Sequence, residues 1–172
     1  MSTTSTRRTV AVFDFDGTIT RRDSLVPFVI HVVGPARAAG AALRESAGFL
    51  AMAAGRGNRD ATKAAFLRHA IGGLPMSVLE HSALEFARRL VATRARVDIV
   101  QRIREHRDAG HELVVISASP AIYVSHAAAE LGIGTTLATE LAVDDRGRMT
   151  GAFIGGNVRG AEKVRRLETH LH

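Results

Sequence analysis

The hydrophobic pattern opens with a short apolar run, residues 10–13, followed by two carboxylates, a glycine and a threonine. Such a run, closed by a turn signal, predicts a strand buried on both faces of a parallel sheet. Ligands of these sheets bind beyond the carboxyl ends of the strands, where Asp14 and Asp16 would lie. Because side chains alternate along a strand, we expect both carboxylates on the same side.

The Asp16-Gly17 pair has a simpler interpretation as well, because Asp-Gly is a strong signal for the turn of a β-hairpin. The flanking sequence does not favour a hairpin. The apolar run before the pair does not alternate, and residues 18–20 lead directly into charged positions. The hairpin remains open as the second interpretation of this stretch.

From residue 21 to residue 93 the pattern changes to alanine-, leucine- and glycine-rich segments without sustained alternation. Glycine and proline signals divide this region into four predicted helices, at about 24–33, 36–54, 58–71 and 75–90. They form a helical module inserted after the first strand. Its apolar part, residues 25–54, is typical of an ordinary helical core. The alternative is an exposed apolar face that binds a partner, a membrane surface or a lipid-like substrate.

Helices and short strands alternate in the second half of the chain. An amphipathic helix at 98–109 precedes a buried strand at 113–116, and a helix at 120–131 and a strand at 135–140 follow. Residues 141–151 predict a hairpin, and turn chemistry explains its Asp144-Asp145 pair better than a metal site does. A last helix begins at Gly160. This succession predicts an α/β fold.

Polar residues follow the second buried strand as they follow the first. Ser117 comes directly after the strand, and Ser119 and Pro120 are suited to open the next helix as N-cap and first residue. Such a strand–turn–helix unit presents backbone N–H groups to an anion. Lys163 lies in the first turn of the last helix, where a lysine is normally solvated. Here its ammonium would point to the same place as the N–H groups of that helix.

Composition narrows the classes of function. The chain has 172 residues, which suits one domain or a core with a modest insertion, and its lack of cysteine excludes disulfides and thiolate metal sites. The net charge of +6 comes from 21 arginines and two lysines that are scattered, with few aromatic residues between them. We therefore expect no nucleic-acid binding, while the positive field favours anionic substrates such as phosphate esters.

The N-terminal sequence shows no signal peptide, and no window of about 18 uncharged apolar residues is apparent. We expect no transmembrane segment and a cytoplasmic location.

Two neighbouring carboxylates repel each other unless a cation or a shared proton relieves the repulsion. A hard divalent cation with oxygen ligands, above all Mg²⁺, is the usual solution. One carboxylate is then free to act as a nucleophile and the other as a general acid and base.

Three separated features now occur in order along the chain: the segment Asp14-Phe15-Asp16-Gly17-Thr18, then Ser117, then Lys163, with the helical insertion between the first and the second. This arrangement resembles the helical-cap branch of the haloacid-dehalogenase-like hydrolases, and specifically its phosphoserine-phosphatase-like members. The resemblance implies a Rossmann-like, three-layer parallel-sheet core (residues 1–20 and 94–172) with an inserted helical cap (21–93).

The resemblance also implies Mg²⁺-dependent hydrolysis of a small-molecule phosphomonoester through an aspartyl-phosphate. Asp14 would be the nucleophile and a metal ligand, and Asp16 would serve as acid and base while its carbonyl contacts Mg²⁺. The residues expected to hold the phosphoryl group are Thr18, Ser117, Ala118 and Lys163.

Two residues of the insertion bear on the substrate. Asp23 stands where phosphoserine-specific relatives carry a glutamate that meets the substrate amine, although a helix cap is an equal interpretation. Arg68 stands near the position of a cap arginine that meets the substrate carboxylate. A phosphoserine-like substrate therefore stays open.

The chain departs from the family pattern in one respect, because the acidic fourth motif that completes the Mg²⁺ site does not occur. We expect from this a truncated chain, weakened Mg²⁺ binding and an exposed edge on the first strand. A homodimer formed through that edge or through the apolar cap would cover it. The alternatives to an active phosphatase are an impaired fragment or pseudoenzyme that binds phosphate compounds or a partner, and a lipid-associated phosphatase.

Overall fold

The computed structural model describes residues 8–172, and the part of the predicted core segment before residue 8 lies outside them. The chain forms four strands and seven helices within that range. The strands are β1 (Val10–Asp14), β2 (Glu112–Pro120), β3 (Thr135–Val143) and β4 (Met149–Ile154). The helices are α1 (Leu25–Arg44), α2 (Ser46–Ala53), α3 (Arg59–Ile71), α4 (Met76–Arg94), α5 (Val97–Asp108), α6 (Ala121–Glu130) and α7 (Ala161–Leu171).

The four strands form one sheet in the order β1-β2-β3-β4. β1, β2 and β3 run parallel, and β4 returns antiparallel to β3 as the predicted hairpin. Successive residues of β2, from Leu113 to Ile116, are all buried, so both faces of this strand are covered. Helices α5, α6 and α7 contact it. The predicted α/β fold with a Rossmann-like, layered core is confirmed, and the hairpin interpretation of Asp16-Gly17 is wrong.

Strand β1 is less covered than its apolar sequence predicts. Within residues 8–172 it pairs with β2 alone, so it forms an edge of the described sheet. Ala11 is buried, but Val12 is 39 % exposed and Phe13 is half-buried. The prediction of a strand buried on both faces is therefore wrong, because the face that carries Val12 is left partly uncovered, whereas the expected exposed edge is present in the described sheet.

Helix α1 is bent at Gly34, whose φ of +77° and ψ of 164° lie outside the helical region, and Pro35 follows. This break stands where the sequence predicted a helix end, and the predicted helix 36–54 is itself interrupted at Glu45. By length and composition α1 is apolar enough to cross a membrane, with a mean hydropathy of 1.4 over 18 residues. Such a window was not predicted. The bend divides it into two arms of about 15 Å each, half the ~30 Å of a bilayer core.

One hydrophobic core joins the inserted helices to the sheet. The ring of Tyr123 on α6 lies 4.6 Å from that of Phe28 on α1 and 5.3 Å from that of Phe86 on α4. The Tyr123 hydroxyl also forms a 2.9 Å hydrogen bond with the Ser24 hydroxyl. Buried aromatic clusters of this kind fix how the elements pack. The start of α1 is thereby held beside the carboxyl end of β1, while the division into domains at residues 20/21 and 93/94 stays a prediction.

Candidate active site

Strand β1 ends at Asp14, and the chain then turns sharply. The backbone N–H of Thr20 donates to the carbonyl of Phe15 at 2.9 Å. Gly17 adopts a φ of +80°, a region that other residues enter only with strain. The turn returns Asp16 to the side of Asp14, and both carboxylates line one cavity of about 550 Å³.

Lys163 Nζ lies 2.8 Å from Asp14 Oδ1. The lysine projects from the first turn of α7, close to the carboxyl end of β1. The same carboxylate oxygen accepts the N–H of Phe15 at 2.7 Å. The other oxygen of Asp14 has no such partner among the described residues. Asp14 thus combines a fixed orientation, a neutralising cation and an oxygen that is free to react.

Asp16 is more enclosed than Asp14. The Ser119 hydroxyl donates to Asp16 Oδ2, and the Thr20 hydroxyl donates to Oδ1 at 3.3 Å. Burial raises the pKa of Asp16 above its usual value, even though these hydrogen bonds act in the opposite direction. A carboxyl group that holds its proton more readily than an exposed aspartate is suited to donate that proton to a leaving group.

Ser117 and Ser119 lie at the end of β2, where its pairing with β3 shifts register, and not after the strand as the sequence predicted. Ser117 Oγ accepts the backbone N–H of Ser119 at 3.0 Å, so Ser117 orders this irregular end of the strand. Ser119 does not cap α6, which begins at Ala121 with Pro120 before it. Its hydroxyl is bound to Asp16 instead. The prediction of Ser119 as N-cap is wrong, and its contact with the Asp16 carboxylate was missed because it joins residues far apart in sequence.

The cavity brings together most of the predicted site residues. It is lined by Asp14, Asp16, Asp23, Ser117, Ala118 and Lys163 from that set. Thr18 and Arg68 do not line it. Thr18 lies in the turn after β1, where its N–H donates to the Phe15 carbonyl at 3.3 Å. The lining residues that were not predicted include Arg59, Lys63, Ser119, Asn157 and Arg159.

Arg68 is on the wrong face of α3 for the part predicted for it. Its backbone lies against Gly151 of β4, where a Cβ on the glycine would be 2.6 Å from the Arg68 Cα. Lys63, which does line the cavity, stands five residues earlier, and five residues turn a helix by about 140° beyond one full revolution. The cationic residues that α3 presents to the cavity are Arg59 and Lys63.

Lys63 joins the inserted helices to the strand ends. Its ammonium donates to the Ala118 carbonyl and, at 2.9 Å, to Asn157 Oδ1. Asn157 in turn donates to Asp60 Oδ1 at 2.7 Å. Burial lowers the pKa of Lys63 to about 8. One signal in the sequence pointed to it: the chain has 21 arginines and two lysines, and both lysines line this cavity.

Asp23 lies both at the start of α1 and at the cavity. Its Oδ1 accepts the N–H of Leu25 at 2.9 Å, so it orders the start of α1, and it also lines the cavity. The capping interpretation has a direct contact to support it. The contact with a substrate amine stays a prediction.

The model of the haloacid dehalogenase-like hydrolases matches residues 11–172 of the chain. The chain belongs to this family. It is also 35 % identical to Protein CicA of Caulobacter vibrioides (strain NA1000 / CB15N) over 158 residues, which are 92 % of this chain and 70 % of that protein.

Solved structures share the fold of this hydrolase. A protein of unknown function from Bordetella pertussis Tohama I has a TM-score of 0.77 at 23 % identity, over 95 % of this chain and 74 % of that chain. A phospho-aspartyl intermediate analogue of phosphoserine phosphatase has a TM-score of 0.61 at 20 % identity, over 95 % and 70 %. At sequence identities of 23 % and 20 %, the similarity of the chain to these two structures shows a shared fold.

The metal that the family implies has few ligands in the described part of the hydrolase. Among residues 8–172 no three acidic, histidine or cysteine side chains gather as a metal site. One oxygen of Asp14 and the backbone carbonyl of Asp16 remain as donors. Mg²⁺ commonly keeps several waters and binds through one or two carboxylates plus substrate phosphates. The donor set therefore fits Mg²⁺ held mainly by water and substrate, with Asp14 as its protein carboxylate.

Proposed function

We propose that this hydrolase cleaves a phosphomonoester by transferring the phosphoryl group to Asp14. The observation that carries the proposal is the 2.8 Å contact between Lys163 Nζ and Asp14 Oδ1, next to the enclosed carboxyl group of Asp16. An anionic nucleophile attacks an anionic ester only where positive charge offsets the repulsion. Lys163 supplies that charge at the nucleophile itself.

The reaction would proceed in two steps. In the first, a carboxylate oxygen of Asp14 bonds to phosphorus as the ester P–O bond breaks, and Asp16 gives its proton to the departing alcohol oxygen. In the second, water attacks the aspartyl-phosphate, Asp16 takes a proton from that water, and phosphate leaves with Asp14 regenerated. Ser117, the N–H groups at the end of β2 around Ala118, and Lys163 would hold the phosphoryl oxygens throughout.

Mg²⁺ completes the proposal as cofactor. Asp14 and the Asp16 carbonyl would hold it, and when bound it would neutralise charge on the phosphoryl oxygens. Phosphoryl transfer depends mainly on positioning the reacting groups and neutralising their charge. Lys163 and the N–H groups at the end of β2 would contribute to both. A cytoplasmic location stays a prediction.

The test is phosphate release from a panel of phosphomonoesters, phosphoserine included, with Mg²⁺ and with a chelator. We expect release that needs Mg²⁺ and is lost in Asp14→Asn. Asp145→Asn is the matched control, since it removes an exposed carboxylate from the β3–β4 turn, away from the cavity. Phosphate release that persists in Asp14→Asn would contradict the proposal. A loss of release in Asp145→Asn as large as in Asp14→Asn would contradict it as well.

A further inference from the structure

The inserted helices give the cavity a wall of hydrocarbon. The apolar residues that line it are Leu25, Val26 and Pro27 of α1, Phe49 and Met52 of α2, and Phe66 of α3. The rings of Phe49 and Phe66 lie edge to face with centroids 6.0 Å apart. Val26 is 47 % exposed, so this wall is not sealed inside the core. The same cavity therefore contains the phosphoryl-transfer groups and an accessible apolar surface.

Two charged groups of the cavity, Lys63 and Asp23, already have partners within the protein. Two of the three N–H donors of Lys63 are given to the Ala118 carbonyl and Asn157 Oδ1. Asp23 accepts the N–H of Leu25. Arg68, the expected partner of a substrate carboxylate, does not line the cavity. Arg59 and Arg159 also line the cavity and remain available to an anionic part of the substrate. An ammonium or carboxylate of the leaving group that lay against the apolar wall would lose its hydration without a polar partner there, which is unfavourable.

We infer that the alcohol of the substrate carries a hydrocarbon portion, which packs against Val26, Phe49 and Met52. The inference rests on the proposed function, because it assumes that the phosphoryl group lies between Asp14 and Lys163. An apolar chain leaving water for this wall gains binding free energy with each methylene, which corresponds to roughly three- to fourfold in affinity per methylene. The substrate class is a phosphomonoester of an amphiphilic alcohol.

Binding of inert alkylphosphonates tests the inference without relying on turnover. Calorimetry with Mg²⁺ present would compare methyl-, butyl- and hexylphosphonate on the full chain. We expect affinity to rise roughly three- to fourfold per methylene until the chain outgrows the wall. Equal affinity for all three phosphonates, or tighter binding of the methyl compound, would overturn the inference.

Matched pairs of variants test whether the dependence of affinity on chain length arises at the apolar wall of the cavity. Val26→Asn and Met52→Gln place polar groups on the cavity side of α1 and α2, and we expect them to reduce the hexyl-to-methyl preference at least tenfold. Leu43→Asn and Leu50→Gln introduce the same two polar residues on the same two helices, at apolar positions that are 75 % and 71 % exposed and do not line the cavity. We expect these controls to keep the preference. A loss in the controls as large as in the cavity variants would overturn the inference.

Phosphate release from the corresponding esters separates this inference from the proposed function. Chain-length-dependent binding without release would contradict hydrolysis and support the apolar subsite. Equal release from methyl and hexyl phosphate would support hydrolysis and overturn the subsite. The hydrocarbon belongs either to a soluble ester or to a lipid, so a third arm uses phosphatidic acid in phosphatidylcholine vesicles. Release from vesicles supports the inference with a lipid source, and release confined to soluble hexyl phosphate supports it with a soluble one.

Discussion

Lys163 places its ammonium 2.8 Å from the carboxylate of Asp14, although the two residues come from opposite ends of the chain. The pair forms because Asp14 ends strand β1 and Lys163 opens helix α7 at the same edge of the sheet. Both side chains are partly exposed, at 46 % for Asp14 and 25 % for Lys163. The contact therefore adds little to folding stability. Its main effect is on the charge that an incoming phosphate ester meets.

Replacing Lys163 with methionine is expected to separate activity from stability. We expect kcat/KM for phosphate release to fall by about 100-fold or more, because charge stabilisation at the phosphoryl group is lost. The free energy of unfolding should change by less than about 1 kcal/mol, as for other exposed ion pairs. Arg165→Met is the control on the same helix, since Arg165 pairs with Glu162 and does not line the cavity. A similar loss of kcat/KM in both variants would refute this assignment.

Asp16→Asn is expected to show an effect that depends on the leaving group. The variant cannot give a proton to the departing oxygen, so esters of alkyl alcohols should lose at least ~100-fold in the rate of the first step. Esters of nitrophenol, whose leaving group needs no proton, should lose much less in that step. Single-turnover kinetics with the two esters would measure the difference. Equal losses for both would show that Asp16 does not act as the acid.

Lys63→Met is expected to weaken the link between α3 and the strand ends. The Ala118 carbonyl and Asn157 Oδ1 each lose a donor, which costs about 1–3 kcal/mol in total when such groups stay buried. Urea denaturation would measure the change. Arg68→Met, an exposed arginine on the same helix, is the control and should change stability by about 0.5 kcal/mol or less.

The same lysine predicts a dependence of stability on pH. Its pKa is about 8 in the folded protein and 10.5 in an unperturbed lysine, so the unfolded chain binds more protons between these values. Stability due to Lys63 should therefore rise as pH increases from about 8 to 10.5, the direction set by linkage. The measurement is the difference in unfolding free energy between wild type and Lys63→Met at pH 7 and at pH 10. The lowered pKa of Lys63 would be contradicted if this difference were the same at both pH values, or if the variant gained stability relative to wild type at pH 10.

Two glycines of the β3–β4 region should respond differently to alanine. Gly147 has a φ of +69° with open space around it, so Gly147→Ala should cost about 1–2 kcal/mol from backbone strain alone. Gly151 has a φ of +83°, and a Cβ there would meet the Arg68 backbone at 2.6 Å. Gly151→Ala should therefore destabilise the fold by more than Gly147→Ala, measured by thermal unfolding. An equal effect would show that α3 and β4 do not approach closely in solution.

The sequence allowed the strand-end chemistry to be predicted because it follows from local rules. Apolar runs end at Asp14 and just before Ser117, and parallel strands bring their carboxyl ends to one edge. Lys163 followed from the glycine that starts the last helix. Predicting these three residues required the order of the elements along the chain and no detail of how the elements pack. The structure places all three at the same cavity.

The parts that the sequence did not reveal depend on how elements meet. Helical periodicity does not tell which face of α3 approaches the end of β2, so Arg68 was expected in place of Arg59 and Lys63. The contact from Ser119 to Asp16 joins the end of β2 to the turn after β1, and these are far apart along the chain. The partial exposure of Val12 depends on what packs over that face of β1, which the apolar residues of the strand do not encode.

The most direct test of the central claim is to trap the phosphoryl group on the protein. Acid quenching during turnover of a phosphomonoester with Mg²⁺, followed by peptide mass spectrometry, would locate any aspartyl-phosphate. The account predicts one phosphorylated residue, Asp14, and none in Asp14→Asn. Turnover without phosphorylation of Asp14, or a phosphorylated residue that persists in the variant, would contradict it.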